Sequence, residues 1–533
     1  MKDKRFINAA FQEFQYIIKS FLAPIVNGGS LECEGINFYC AFNNYDNVNI
    51  QEYISNFNDI SIVTGKSICE WLNGKSDYCA ILNVPVQSTL WFRVSKKNPP
   101  FTIGIKLSNI DSTYPVHLLS AILRELIYTG KYSYSNNGDI SFTGSNQYHD
   151  NSYTTYKNEI YKIALERGIC RSLDNSGYLY TLVVNCRLWA QRTYEGSHRG
   201  LCLLYDSKLV DDSGKCTYEN INLQQKLYAI LASGDNSTLI FNQTGLVSHT
   251  ELTDCDICTK FEHEIGNVYI PYVTRKDDLR VLFAPNGYEK LASQCDGQKQ
   301  AVALTTRGDV LIFHYWQVMY CWRNGKWYMN DFYSFSLLVQ NIDINDYFIQ
   351  RLLYGTCLDV SFGYTGGCLA IIHDSIDDAQ LCLDLHQSDY FNCVDDSVIE
   401  KDDWFPTCLN WSKDDYKNQE KYERLVTLRK IVKNNNFYML TRKIRQELLG
   451  IDGATIIRKN GQILGIGVVV KQSTGSSHGA REAAARKLAQ FGLAIKISSD
   501  GDVECWAAAK ENLGDINKPA KKVYQLGKLQ GKL

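Results

Sequence analysis

Lys443-Ile444-Arg445-Gln446-Glu447-Leu448-Leu449-Gly450-Ile451-Asp452-Gly453-Ala454-Thr455-Ile456-Ile457 runs from an amphipathic helix through a tight Asp-Gly-Ala turn into a buried strand. Asn460-Gly461 then reverses the chain into a second apolar run over residues 463–470, so helix, turn and hairpin are each specified locally. Further on, Ser476-Ser477-His478-Gly479-Ala480-Arg481-Glu482 opens a helix containing Ala483, Ala484, Ala485, Leu488 and Ala489. Helices alternating with apolar strands in this way predict an α/β fold with a mixed sheet.

Outward from this stretch, the same order of elements recurs earlier in the chain. Gly200-Leu201-Cys202-Leu203-Leu204-Tyr205-Asp206-Ser207 and Gly367-Cys368-Leu369-Ala370-Ile371-Ile372-His373-Asp374-Ser375 are both short apolar runs that end in Asp-Ser. Residues 226–235 followed by 236–240 match residues 443–452 followed by 453–457 without a gap, and Lys290-Leu291-Ala292 matches Lys487-Leu488-Ala489. Residues 301–310 and 493–503 each read as strand, Gly-containing hairpin, strand. The expected organisation is an N-terminal α/β region of unassigned role over residues 1–150 and a first module over 151–335. A second module covers 336–510, with an insert at about 377–421 rich in Asp, Cys and Trp, and a basic tail covers 511–533. Lys518, Lys521, Lys522, Lys528 and Lys532 give the tail its charge, and it is expected to be a solvated, frayed end. In the N-terminal region Ile7, Phe11, Phe14, Ile18 and Phe21 recur at helical spacing, as do Leu118, Leu119, Ile122, Leu123, Leu126 and Ile127.

With 533 residues, 45% of them hydrophobic, the chain has ample material for several cores. A formal net charge of −2 supplies no global attraction to nucleic acid or to an anionic membrane, so any anion site must be local. No apolar run approaches the length needed to span a bilayer, and Gln12, Glu13, Gln15 and Lys19 interrupt what would be the core of an export signal. The expectation is a cytoplasmic protein with no membrane and no nucleic-acid partner, its 18 cysteines serving as reduced, small buried hydrophobes. The one tight pair is Cys255-Asp256-Ile257-Cys258, with His249 and His263 nearby, and no second Cys-x-x-Cys completes a zinc site. No Ser/His/Asp, phosphate-loop or zinc-hydrolase pattern supports another enzyme class.

Two elements carry chemistry. After Asp452, Gly453 and Ala454 leave room for a flat ligand against the backbone, while the carboxylate can hold a ribose hydroxyl or a divalent metal; an Asp capping a tight turn is the structural alternative. At the start of the Ala-rich helix, unpaired backbone N–H groups, the helix dipole and Arg481 converge on a place suited to phosphate. Plain capping by a serine or Gly479, with Glu482 reaching back, explains the same residues.

Taken together, and with Gly465-Ile466-Gly467 between them, the Asp-Gly-Ala and Gly-Ala-Arg elements resemble the diadenylate cyclase domain family over about residues 440–506. Members of that family carry an Asp-Gly-Ala motif and a Gly-Thr-Arg-His-Arg type segment at a helix start. They join two ATP molecules into cyclic di-AMP across the face between two domains, using a divalent metal. The resemblance implies a diadenylate-cyclase-like fold for the C-terminal domain, preceded by a degenerate copy. It makes Asp452 the metal- and ribose-handling acid, catalytic if the protein is active, and Gly453 and Ala454 the nucleotide-facing turn. Ser477, Gly479, Ala480 and Arg481 become the phosphate-facing helix start, and Mg²⁺ or Mn²⁺ the cofactor of any cyclisation. Glu482 stands where the family has His and Ala483 where it has a second Arg, which weakens electrostatic stabilisation of phosphoryl transfer. The first copy offers Asp235-Asn236-Ser237 and, in the place of Arg481, Ala284. The pattern therefore looks more like the divergent sensor relatives found in nucleotide-signalling or defence settings, binding ATP or a cyclic dinucleotide within a pseudodimer or a homo-oligomer. An active cyclase is one alternative. Another is a scaffold without ligand, whose insert and tail contact a protein partner.

Overall fold

The computed structural model describes most of residues 163–252, 284–376, 436–468 and 480–528, together with short strands between residues 36 and 142 and the helical Leu118 and Ala121. The expected helix at residues 7–21, most of the one at 118–127, Asp235, the Cys255/Cys258 pair, His263, the insert, and Ser476 through Gly479 lie outside the described residues. In the N-terminal region β1 (Ile36–Phe42), β2 (Cys79–Val84), β3 (Gln87–Val94) and β4 (Phe101–Leu107) form an antiparallel sheet in the order β1-β4-β3-β2, and β5 (Tyr132–Tyr134) pairs with β6 (Ile140–Phe142).

Two mixed sheets make up the rest, which is the α/β class the alternation of elements predicts. The first holds β7 (Leu201–Asp206), β8 (Ser237–Phe241), β9 (Leu246–Glu251), β10 (Lys299–Leu304), β11 (Val310–His314), β12 (Gln317–Arg323) and β13 (Lys326–Met329) in the order β13-β12-β11-β10-β7-β8-β9. The second holds β14 (Gly367–Ile372), β15 (Ala454–Arg458), β16 (Ile463–Val468), β17 (Gly492–Ile497), β18 (Val503–Ala507) and β19 (Lys521–Gln525) in the order β16-β15-β14-β17-β18-β19. In each sheet the central strand runs parallel to one neighbour, β7 with β8 and β14 with β15, and antiparallel to the other, β10 or β17. Both therefore follow one strand order. The pairing also refines the register. Leu201 and Gly367 occupy equivalent places opposite Leu304 and Ile497, and Leu239 and Thr455 pair with the equivalent Leu203 and Leu369. On that register Asn236, not Asp235, stands where Asp452 does, and Asp206 is equivalent to Ile372; the shared Asp-Ser ending is displaced by two residues.

Among the described residues the helices include α1 (Tyr178–Ala190), α2 (Gln225–Leu231), α3 (Glu289–Gln294), α4 (Phe332–Gln340), α5 (Tyr347–Gly363), α6 (Arg442–Gly450) and α7 (Ala480–Leu488). Strand alternation sorts them into layers. Leu201, Leu203 and Tyr205 face Leu182, Cys186 and Trp189 of α1, whereas Cys202 and Leu204 face a core shared with the second sheet. Leu369, Ile371 and Ile495 enter that shared core from the other side, with Leu291 of α3, Phe335 of α4, Leu353 of α5 and Leu448 of α6 between the sheets. Cys368, Ala370 and Ala494 face the opposite way, toward Ala485 and Leu488 of α7. The layers thus run helix, sheet, helices, sheet, helix. The α3 side of the first sheet meets the α5/α6 side of the second, so unlike faces are in contact.

Residues Lys521–Gln525 and β20 (Gly527–Lys528) correct the expectation of a frayed tail. The chain pairs with β18, then crosses to pair with β13 of the first sheet. Tyr524 and Leu526 are the reason, because both are buried in the shared core and hold the backbone where its N–H groups find partners. The eight described cysteines that are free are all buried, as small hydrophobes would be. Among the described residues no helix is long and apolar enough to cross a membrane.

Candidate functional site

Arg481 lies over Gly366 at the amino-terminal edge of the second sheet, and Asp452 stands in the turn that leads into β15. Thr441 caps α6 by accepting from the Ile444 N–H, and the helix ends at Ile451 just before the Asp-Gly-Ala turn. Asp452 is exposed there. The parallel pairing of β14 with β15 runs from Leu369 and Thr455, so the turn holding Gly366 and the turn holding Asp452 lead into the same pair of strands. Arg481, in the first turn of α7, lays its guanidinium on Gly366 itself: a Cβ added to Gly366 would stand 2.6 Å from Nη1 and 3.1 Å from Cζ. The same guanidinium acts on Cys368, whose thiol is pushed up to about 12 by burial against a lowering influence from Arg481. Gly366 has a φ of +66°, which glycine adopts without cost.

The turn itself corrects one part of the reading. Gly453, at φ +102°, would bring a Cβ within 2.5 Å of the Gly467 carbonyl carbon, so the missing side chain admits the neighbouring strand and leaves no slot for a flat ligand. Gly467 returns the contact at φ +66°, next to the Asp452 carbonyl oxygen. Ala454, expected to face the nucleotide, is fully buried with Ala484 and Ala485 beneath α7. Of the Asp-Gly-Ala motif only Asp452 presents a side chain outward. Ala480 is the first residue of α7, and Ser477 and Gly479 lie outside the described residues.

Glu482 does not aim its charge at a phosphate. Its carboxylate pairs with Arg486 at 2.6 Å and with Lys496 at 3.5 Å, and Lys496 pairs in turn with Glu504 at 3.0 Å. Lys522 reaches Glu504 at 2.6 Å, and Arg486 stacks on Trp506 at 4.5 Å. Burial would raise the Glu504 carboxyl, but Lys522 and Lys496 outweigh it and hold it below the usual carboxylate range. The negative charge of Glu482 is thus neutralised within the second sheet.

Sequence reasoning missed Gly366 and the turn that carries it, Tyr364-Thr365-Gly366; the Gly366-Gly367 pair ahead of an apolar run was the available signal. Tyr364 caps α5 in the left-handed region at φ 56° and donates its hydroxyl to Asp309 of the first unit. Arg323 forks onto both oxygens of that carboxylate, Nε to Oδ1 at 3.2 Å and Nη2 to Oδ2 at 3.1 Å, and donates to the Ser361 hydroxyl at 3.0 Å. Its guanidinium stacks on Tyr364 and on Phe362, each at 4.6 Å. A second bridge joins the units elsewhere: Arg442 of α6 grips Asp359 of α5 at 2.6 and 2.5 Å and Glu289 of α3 at 2.7 Å. The floor under Arg481 is therefore anchored to the first sheet.

Among the described residues no group of three His, Cys, Asp or Glu gathers where a metal could sit. Asp452 alone offers one carboxylate, which suits a Mg²⁺ or Mn²⁺ carried in on phosphate oxygens and does not make a self-sufficient cation site. Comparison of the chain with protein-family models, with curated proteins and with solved structures found no match.

Proposed function

We propose that the second unit is a nucleotide-binding sensor domain that takes ATP or a cyclic dinucleotide at the edge formed by Gly366, Asp452 and Arg481. The supporting observation is the Arg481 guanidinium lying on Gly366 in the turn before β14, with the exposed Asp452 in the turn before the adjoining β15. In this reading Arg481, in the first turn of α7, is the cation for phosphate, and Asp452, exposed between α6 and β15, is the ribose- or metal-seeking carboxylate. The resemblance to diadenylate cyclase domains supplies the ligand class. Binding is favoured over turnover because Glu482 and Ala483 occupy the places of the family's His and second Arg, and the only side chain the Asp-Gly-Ala turn presents outward is Asp452. Arg481 also projects from the face of the second sheet turned away from the first unit, so the two halves of the chain do not close over it. Calorimetric titration with ATP, cyclic di-AMP and related nucleotides tests the reading: saturable binding that weakens at least tenfold in Arg481→Ala is expected, and absence of binding by every nucleotide refutes it. Incubation with ATP and Mg²⁺ or Mn²⁺ separates sensor from cyclase, since a cyclic product lost in Asp452→Asn establishes the latter.

A further inference from the structure

At the opposite, carboxyl-terminal edge of the parallel pair β14/β15, Asp343 meets His373 and Ser375, which stand two residues apart just beyond β14. The Ser375 hydroxyl lies 2.8 Å from Nδ1 of His373, and Nε2 of the same ring lies 3.5 Å from Oδ2 of Asp343. Asp343 reaches this place from the α4–α5 connection with a φ of 63°, a left-handed conformation that costs a non-glycine residue about 1 kcal/mol or more and concentrates at working sites. The Ser375 backbone N–H donates to Nδ1, which makes Nδ1 the ring's acceptor within reach of the Ser375 hydroxyl and leaves the ring proton on Nε2, on the side of the Asp343 carboxylate. The His373 ring is largely covered, with 21% of its side chain exposed, while Ser375 is exposed to an incoming molecule. The Ser375 backbone N–H also donates to Nδ1 at 3.1 Å, which fixes the serine against the ring. Lys459 stands on the rim, 2.6 Å from Asp374, and Arg458 donates to the carbonyls of His373 and Ile376 at 3.1 and 2.6 Å, holding the turn. Carboxyl ends of parallel strands are where α/β sheets place ligands. The first sheet lacks the constellation: in the strand register its equivalent of His373 is Ser207, whose hydroxyl is spent on the Gln298 carbonyl.

We infer that Ser375, His373 and Asp343 form a second site, a serine nucleophile with its base and positioning carboxylate, that acts on carboxylic esters. As an ester carbonyl approaches, the Ser375 O–H bond breaks and its proton passes to Nδ1 of His373 while Oγ bonds to the carbonyl carbon. Collapse breaks the bond to the alkoxy group, which leaves as the alcohol with that proton. Water then attacks the acyl-serine by the same route, releasing the carboxylic acid and restoring Ser375; the sum is ester plus water to acid plus alcohol. Asp343 is a positioning residue that stabilises the imidazolium.

The full chain treated with a fluorophosphonate probe, followed by peptide mass spectrometry, tests this assignment. Oγ of Ser375 displaces fluoride from phosphorus, and modification is expected at Ser375 and nowhere in Ser375→Ala. His373→Asn, which can still accept the Ser375 backbone N–H and keep the turn, is expected to label at least ~100-fold more slowly. Asp343→Asn should slow labelling ~10-fold or more, with partial rescue in Asp343→Glu, an outcome that a purely structural turn would not give. Hydrolysis of p-nitrophenyl acetate should fall in parallel. Labelling absent from Ser375 in the intact protein, or unchanged in folded His373→Asn, overturns the inference.

Discussion

Replacing Arg323 by methionine should cost about 3–5 kcal/mol of stability, because it strands a carboxylate that the fold has removed from water. The side chains of Arg323 and Asp309 are each only 4% exposed. The guanidinium makes two hydrogen bonds to the carboxylate and one to Ser361, and an Nη1 contact to the Ser361 carbonyl at 3.4 Å completes its set. Burial works against the charge on Arg323, yet the paired Asp309 carboxylate outweighs it and helps hold the guanidinium above its ordinary range. In Arg323→Met the Asp309 carboxylate keeps the Tyr364 hydroxyl but loses its counter-charge, and the two stacked rings lose their cation. The double variant Asp309→Leu/Arg323→Met removes both charges and should recover ~2 kcal/mol or more of that loss, since a buried pair is worth far less than the penalty of breaking it. Urea unfolding followed by intrinsic fluorescence, with Trp322, Trp327 and Trp506 as reporters near the two sheets, measures each variant. A loss below ~1 kcal/mol in Arg323→Met, or a double variant no better than the single, would refute the buried-bridge account.

Two buried titrating groups give opposite pH signatures. Burial lifts the carboxyl of Asp331 to about 7; its Oδ2 has no hydrogen-bond partner among the described residues. With the folded value raised, Asp331 penalises folding above pH ~4, increasingly so up to ~7. Burial lowers His314 to about 4, so it penalises folding as pH falls from ~6.5 toward 4. Between pH 4 and 6.5 the two slopes oppose each other. Asp331→Asn, which preserves a cap for α4, should steepen the rise of thermal stability with pH relative to wild type, and His314→Gln should do the reverse; identical profiles would exclude both assignments. Tyr524→Ala should cost ~3–5 kcal/mol by emptying a fully buried aromatic site between the sheets, read as a lower urea midpoint, and a change under ~1 kcal/mol would show that the terminal strands do not clasp the units.

Local patterning carried most of the fold. The amphipathic run ending at Asp452, the Asn460-Gly461 turn and the Ala-rich helix all emerge within a few residues of where periodicity and turn chemistry put them, because each is set by near neighbours. The common order of elements was legible for the same reason. Its register was less so, since apolar strands resemble one another and only the pairing of β7 with β10 and of β14 with β17 distinguishes a shift of one or two residues. The tail was read from its lysines, yet Tyr524 and Leu526 decide where it goes, and their burial depends on a core that includes Phe335, far earlier in the chain. At the candidate site the motif Asp452-Gly453-Ala454 was visible, but whether a small residue admits a ligand or a neighbouring strand is a tertiary question, answered here by Gly467. The seating of Arg481 on Gly366 and the approach of Asp343 to His373 were invisible for a like reason: each is a contact between segments the chain brings together only on folding.

The proposed role of Arg481 as a phosphate cation seated on Gly366 is tested most directly by a binding double-mutant cycle. A methyl group at Gly366 would occupy the position of the guanidinium, so Gly366→Ala, Arg481→Ala and their combination should be titrated with ATP and cyclic di-AMP alongside wild type. Each single variant is expected to weaken binding by ~10-fold or more, and the double variant by little beyond either one, since both remove the same contact. Wild-type affinity in Gly366→Ala and Arg481→Ala, or losses that simply add, would contradict it.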